Sequence, residues 1–340
     1  MMRAPKFRYH AARSVKDAVA ALHGGGAEAM LLAGGTDLVP NMKRRTQTPA
    51  LVIGIRDVAA LRRIANGDGL TLGACATLGE VAAHRRVTRG YRALALAAGS
   101  VATPHLRNMG TLGGNLCLDT RCNYYDQNAE WREAIGNCMK APRGNGGRSC
   151  LSPDGTSICW VATSSPRCWA VSSTDTAPAL IALGADVTLV SAEGERRIAL
   201  EALYRNDGMD YLAKRPDEML THVHLEPASP SWRSTYWKLR RRGSFDFPVL
   251  SVAAALRLGE GGVVEHARLV LGAVASCPVV VPDAASLIGR TLSDEAIREL
   301  AESATRHARP MDNTDFDLAW RKKVVRSYVR GALEELRDRR

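Results

Sequence analysis

The chain has 340 residues, 46% of them hydrophobic and 24% charged, with a formal net charge of +11. That length allows two or three domains and a sizeable core, and the composition is ordinary for a soluble globular protein. No apolar run approaches the ~20 residues needed to span a bilayer. The basic runs Lys43-Arg44-Arg45, Arg240-Arg241-Arg242 and Arg321-Lys322-Lys323 are short and carry no interleaved aromatics, so neither a stacking platform nor a nucleic-acid motif is present.

The basic opening Met1–His10 has no apolar region or cleavage pattern, which gives the expectation of a cytoplasmic protein. In that compartment eight cysteines read as metal ligands or buried thiols, not as a disulfide framework. The positive charge reads first as a solvated basic surface and second as a docking face for an acidic partner.

In chain order, Ser14 can cap a helix whose apolar face is Val15, Ala18, Val19 and Leu22, and Gly24-Gly25-Gly26 ends it. Ala29–Ala33 is a buried strand running into Gly34-Gly35-Thr36-Asp37, and Leu51–Ile55 is a second strand, giving a small α/β unit. Leu70–Ala74 predicts another strand. Thr77-Leu78-Gly79-Glu80 reads as a capping box, and a helix over Tyr91–Val101 stops before Pro104.

Residues 121–168 break the pattern, being rich in Cys, Gly, Asn, Ser and Pro with little periodicity. A long irregular segment inside a compact domain is usually functional or disordered, and cysteine ligation would order it without a core of its own. Asp175 can cap a helix at Thr176–Leu180. Asp186–Val190 and Arg197–Leu200 flank a hairpin turn, and further strands are predicted at Met219–Leu225, Thr235–Leu239, Ser251–Leu258 and Ala267–Val274. Helices at Asp294–His307 and about Leu318–Leu336 close an α+β last third.

Two glycine-rich stretches carry chemistry. Ala33-Gly34-Gly35-Thr36-Asp37-Leu38 follows a strand, and Gly110-Thr111-Leu112-Gly113-Gly114-Asn115 precedes the irregular segment. Bare backbone amides there can approach a phosphate, and two such loops suit a diphosphate held between them. Neither fits a Walker A or a Gly-x-Gly-x-x-Gly fingerprint. Cys122, Cys138, Cys150, Cys159 and Cys168 lie in one stretch without any Cys-x-x-Cys pair, which disfavours a zinc ribbon. Five thiols in a polar loop suit an iron–sulfur cluster, and spacing alone does not choose four of the five. Cys75, Cys117 and Cys277 sit in apolar or strand-like settings and read as packing residues. His105 could face a cofactor or be structural. Lys238, in Thr235–Leu239, could offset charge on a reduced flavin or be a solvated strand lysine.

The two loops, together with Thr174-Asp175-Thr176-Ala177-Pro178-Ala179-Leu180, resemble the FAD-binding medium subunits of the molybdenum hydroxylase (xanthine oxidase) family over nearly the whole chain. Asn115–Gln127, Cys159-Trp160-Val161-Ala162 and Ser165-Pro166-Arg167-Cys168 resemble the 4-hydroxybenzoyl-CoA reductase β subunits of that family, which carry an inserted [4Fe-4S] loop.

The resemblance implies an α+β fold. A two-part FAD-binding domain would occupy 1–56 and 57–178, with the iron–sulfur loop at about 119–168, and an α+β domain would occupy 179–340. It implies that Ala33, Gly34, Gly35, Thr36, Asp37 and Leu38, with Gly110, Thr111, Gly113, Gly114 and Asn115, cradle the FAD diphosphate. Val101, Asp175, Leu220 and Lys238 would lie along the rest of the cofactor. Cys122, Cys138, Cys159 and Cys168 would ligate the cluster; the rival set exchanges Cys168 for Cys150, which falls in a family-atypical segment, Ala141–Ser157.

The implied activity is electron transfer within a reductase that converts 4-hydroxybenzoyl-CoA to benzoyl-CoA. Ferredoxin would be the donor, with [2Fe-2S] clusters on a small subunit and molybdopterin on a large one. The alternatives are a subunit of an oxidative hydroxylase acting on another aromatic or acyl-CoA substrate, a zinc-binding module, and a standalone FAD oxidoreductase.

Overall fold

Three sheets organise the chain, and the computed structural model describes them over residues 3–141 and 158–338. In the first unit β1 (Arg8–Ala11), α1 (Val15–Gly25), β2 (Ala29–Leu32), α2 (Leu38–Lys43) and β3 (Leu51–Gly54) give a parallel sheet in the order β1-β3-β2. Ser14 starts α1 by accepting from the Asp17 amide at 3.0 Å, and Gly26, at φ +55°, ends it. Ala18, Val19 and Leu22 then share a core with Ile53 and Ile55. Strand β1 left no sequence signal because it is an edge strand with largely exposed side chains.

The second unit holds α3 (Ala59–Arg62), β4 (Ile64–Asn66), β5 (Leu70–Gly73), α4 (Leu78–Ala83), α5 (Arg85–Gly90), α6 (Arg92–Ser100), α7 (Pro104–Arg107) and α8 (Leu112–Leu116). After a long excursion come α9 (Ala129–Ala134) within it, then α10 (Thr176–Ala182), β6 (Asp186–Ser191), β7 (Gly194–Ala199) and β8 (Met219–Leu225). The capping box of α4 forms as expected, with both Thr77 and Glu80 engaged. The sheet is antiparallel in the order β4-β5-β8-β6-β7. It takes β4 and β5 from before residue 178 and β6 to β8 from after it, so the expected 57–178 part shares its sheet with the segment that follows.

The excursion is closed at its base by one bridge. The Arg121 amide donates to the Val171 carbonyl at 2.8 Å, and the Val171 amide donates back at 2.7 Å. Inside it, α9 begins where Asn128 accepts from the Trp131 amide at 2.8 Å. That helix has one turn and a bit, too short to print a periodicity on the sequence.

The third unit is an antiparallel sheet of β9 (Trp232–Leu239), β10 (Leu250–Leu258), β11 (Val264–Gly272) and β12 (Val279–Val280), in the order β12-β11-β10-β9. Helices α11 (Asp294–Ala304) and α12 (Leu318–Asp338) cover one face. Along β10, Val252, Ala254 and Leu256 join that helical core, while Ala253 and Ala255 join the core of the second unit. Burial on both faces explains its continuous apolar run.

Arg321 departs from its reading as part of a surface basic run. It is 0% exposed, and its guanidinium donates to the carbonyls of Val249 at 3.0 Å, Met311 at 3.0 Å and Ala273 at 2.6 Å. Burial brings it down to about 10. Among the described residues no helix is long and apolar enough to cross a membrane.

Candidate functional site

The first glycine loop leaves β2 and the second leads into α8, and they cross at Gly34. A Cβ there would lie 1.9 Å from the Met109 carbonyl oxygen, so a side chain is sterically barred. The second loop is fixed from behind. Leu78 donates to the Gly110 carbonyl at 2.9 Å, and the Gly113 amide donates to Ala74 at 2.8 Å. Thr111 caps α8 by accepting from the Gly114 amide at 3.1 Å. Asn115 Oδ1 then accepts from the hydroxyls of Thr174 at 2.8 Å and Thr176 at 2.7 Å, and from the Thr176 amide at 3.0 Å. Those bonds explain why the Thr174–Leu180 motif accompanies the loop in the sequence.

Between the loops lies a cavity of ≈ 580 Å³, within the range of small-molecule sites. Ala33, Gly34, Gly35, Thr36, Asp37, Leu38, Val101, Gly110, Thr111, Gly113, Gly114, Asn115, Asp175 and Leu220 all lie on its wall. Lys238 lies behind it. Its side chain is 4% exposed, with Nζ 3.0 Å from Asp175 and 3.1 Å from the Ser100 carbonyl, so it is a buried partner and not a solvated strand lysine. Asp175 does not cap α10 with its side chain, because its carboxylate accepts from Tyr236 at 2.7 Å and from Lys238. Burial raises Asp175 against the pull of Lys238 and lowers Lys238 in turn. His105 is exposed on α7 and off the wall.

Several wall residues were not anticipated: Asp119, Arg121, Tyr211 and Phe247 line the cavity, and Cys117, which packs against the core of the second unit as expected, also lines it. The Arg121 guanidinium pairs with Asp37 and, at 3.4 Å, with Asp126, and lies 4.4 Å above the Phe247 ring. Burial raises the Asp37 carboxyl despite that arginine. Arg121, the residue preceding Cys122, therefore ties the first glycine loop to the start of the cysteine-rich segment. The sequence signal was adjacency to that cysteine, with nothing to tell a buried arginine from a surface one.

Cys122, Cys138, Cys159 and Cys168 are all buried. Backbone amides point at each sulfur: Tyr124 at Cys122, Lys140 and Ala141 at Cys138, Trp169, Ala162 and Val161 at Cys159, and Ala170 at Cys168 at 3.4 Å. Cys159 and Cys168 act on each other, and that interaction lowers Cys159 and raises Cys168. Burial pushes Cys122 up to about 12 and raises Cys138. Among the described residues no three His, Cys, Asp or Glu side chains converge on the position of a single metal ion. Cys150 and residues 142–157 lie outside the described residues.

A short segment links the sulfurs to the cavity. A Cβ on Gly208 would lie 2.8 Å from Cys168 Sγ, and the Gly208 amide donates to the Cys168 carbonyl at 2.9 Å. Met209 to Leu212, directly after it, line the cavity. Cys75 donates to the Ile55 carbonyl at 3.5 Å and packs in the core of the first unit; Cys277 is half-buried.

A mixed α and β chain with crossed glycine loops around a cavity of this size suits a diphosphate-bearing cofactor. Residues 5–228 match the family described as FAD binding domain in molybdopterin dehydrogenase, and 234–336 match CO dehydrogenase flavoprotein C-terminal domain. The chain belongs to that family, as an FAD-binding medium subunit of the molybdenum hydroxylase type. It is 33% identical to the aldehyde oxidoreductase FAD-binding subunit of Escherichia coli, over 74% of this chain and 76% of that one. It is 27% identical to the carbon monoxide dehydrogenase medium chain of Afipia carboxidovorans, over 98% and 97%. The structure of reconstituted CO dehydrogenase from Oligotropha carboxidovorans superposes with a TM-score of 0.79 at 24% identity, covering 100% of both chains, which shows the shared fold.

Proposed function

We propose that this chain is the electron-transfer subunit of a molybdenum hydroxylase complex and holds a [4Fe-4S] cluster beside FAD, with Cys122, Cys138, Cys159 and Cys168 as ligands. The observation that carries the reading is the burial of four sulfurs in a segment whose described residues hold little regular structure, each met by a backbone amide. Hydrogen bonds of that kind favour thiolate, the form that ligates iron, and they set cluster potential.

FAD fits the cavity. The amides of the crossed loops suit its diphosphate, and Thr36, Thr111 and Asn115 supply polar contacts there. Val101, Asp175 and Leu220 would line the rest of the cofactor, with Lys238 and Tyr236 fixing Asp175 from behind. The flavin, when bound, supplies the exchange between paired and single electrons, and the chain's residues hold and orient it. The partners would be a molybdopterin-binding large subunit and a [2Fe-2S] small subunit.

For the complex as a whole, the residue pattern around the cysteines supports reductive dehydroxylation of 4-hydroxybenzoyl-CoA, with electrons entering from ferredoxin. A second reading has the opposite electron flow, from an oxidised substrate outward. The 33% identity to an aldehyde oxidoreductase subunit favours it.

Anaerobic purification with partner subunits, followed by iron, sulfide and FAD analysis of this chain, tests the cluster. About four iron and one FAD are expected, with iron lost in Cys122→Ser and Cys168→Ser while FAD is kept. FAD without iron in the unmodified chain overturns the cluster. Turnover of 4-hydroxybenzoyl-CoA with a low-potential donor, against turnover of aldehydes with an oxidising dye, separates the two reactions.

A further inference from the structure

A second ion pair stands where the cavity wall meets the cysteine-rich segment. Asp119 and Lys140 are each 7% exposed and 2.7 Å apart. Asp119 lies on the cavity wall. Lys140 lies two residues beyond Cys138, and its ammonium sits over the ring of Tyr125, which packs in one cluster with Cys122, Cys138 and Cys168.

Both ends are locked. The ammonium also donates to the Thr120 carbonyl at 3.0 Å and to the Thr120 hydroxyl, and the rings of Tyr125 and Tyr211 flank it at 4.6 and 5.4 Å. The other Asp119 oxygen accepts from Tyr125 at 3.3 Å and from Gln47 at 3.4 Å. A buried pair of this kind is a weak stabiliser in itself. Fixed in a poorly screened interior, it is a strong and permanent dipole.

We infer that the Asp119–Lys140 pair is a tuning dipole between two redox centres, its negative end disfavouring an electron on the flavin and its positive end favouring one on the cysteine cluster. This rests on the cluster reading above. No bond is made or broken. One electron leaves one centre as it arrives at the other, and the pair sets only their ratio. Neither side chain is catalytic.

The test is a redox titration of the purified complex, following flavin by visible absorbance and cluster by electron paramagnetic resonance. The variants are Lys140→Met, Asp119→Asn and the double variant, which removes both charges together and leaves neither one buried alone. Lys140→Met should lower the reduced-to-oxidised ratio of the cluster about tenfold at fixed potential, a fall of about 59 mV for a one-electron couple. Asp119→Asn should raise the flavin potential. The double variant should move the two potentials in opposite directions, cluster down and flavin up.

A double variant that keeps iron and flavin but leaves both potentials unchanged, or shifts both the same way, overturns the inference. If the unmodified chain lacks iron, the cluster reading fails on its own. A flavin potential that does not rise in Asp119→Asn then overturns the dipole separately.

Discussion

At the scale of single residues, glycine was the most readable part of the site. Gly34 is glycine because a backbone carbonyl occupies the place of its side chain, and a steric demand of that kind leaves its mark in the sequence. A carbonyl cannot rotate aside as a side chain can, so Gly34→Ala should push the loops apart. We expect FAD content per chain, read from visible flavin absorbance, to fall about tenfold or more, equivalent to at least ~1.4 kcal/mol of binding; unchanged FAD content would refute the crossing as the reason for this glycine. Asp119, Arg121, Lys140 and Tyr211 were not readable. Each is an ordinary surface residue type, and its burial comes from partners far away in the chain, such as the Asp37 that meets Arg121. Lys238, which the sequence offers as a flavin neighbour or a solvated strand lysine, is held behind the wall by Asp175.

At the scale of elements, local signals performed well where one face of a helix or strand is buried. The Ser14 cap, the α4 capping box and the strand from Met219 to Leu225 all form as the residues predict. The short strands β1, β4 and β12 and the one-turn helices escaped, since none is long enough to leave a period. Glu218, just before β8, shows how an element can depend on one carboxylate. It is 2% exposed, accepts from Arg196 at 2.6 and 2.9 Å and from the Arg215 amide at 2.6 Å, and so shapes the turn that brings Lys214 and Pro216 to the cavity.

The Arg196 hydrogen bonds, helped by the Arg215 amide, bring Glu218 down to about 2 from an ordinary 4.5. Its stabilisation is therefore complete above pH 4.5 and lost as pH falls toward 2. Arg196 is half exposed, which discounts the pair, so Glu218→Gln should cost about 1–2 kcal/mol at neutral pH. Denaturant melts should also show a flatter acid limb for the variant. An acid limb identical to the parent's would assign the pH dependence elsewhere.

For the whole molecule, the fold class was legible because motif order survives in sequence even where sheet partners do not. The pairing of β5 with β8 across the excursion was not legible, since strand partners distant in sequence share no local mark. The excursion itself announced its presence by its cysteines but not its closure. The Arg121–Val171 bridge brings its two ends together on the same pair of residues. Replacing residues 122–170 by a short turn should therefore leave a folded, flavin-binding chain that carries no iron, checked by FAD and iron content and by a cooperative melt. Loss of FAD together with iron would mean that the loop builds the flavin site too.

Because its two ends meet on one pair of residues, a segment of this kind is something an ancestral flavin subunit could have acquired in one insertion. The lineage would not have had to find the fold again. It would have needed only a place where the two cut ends already lay side by side, and the chain could later lengthen the inserted piece or discard it without disturbing the domain beneath.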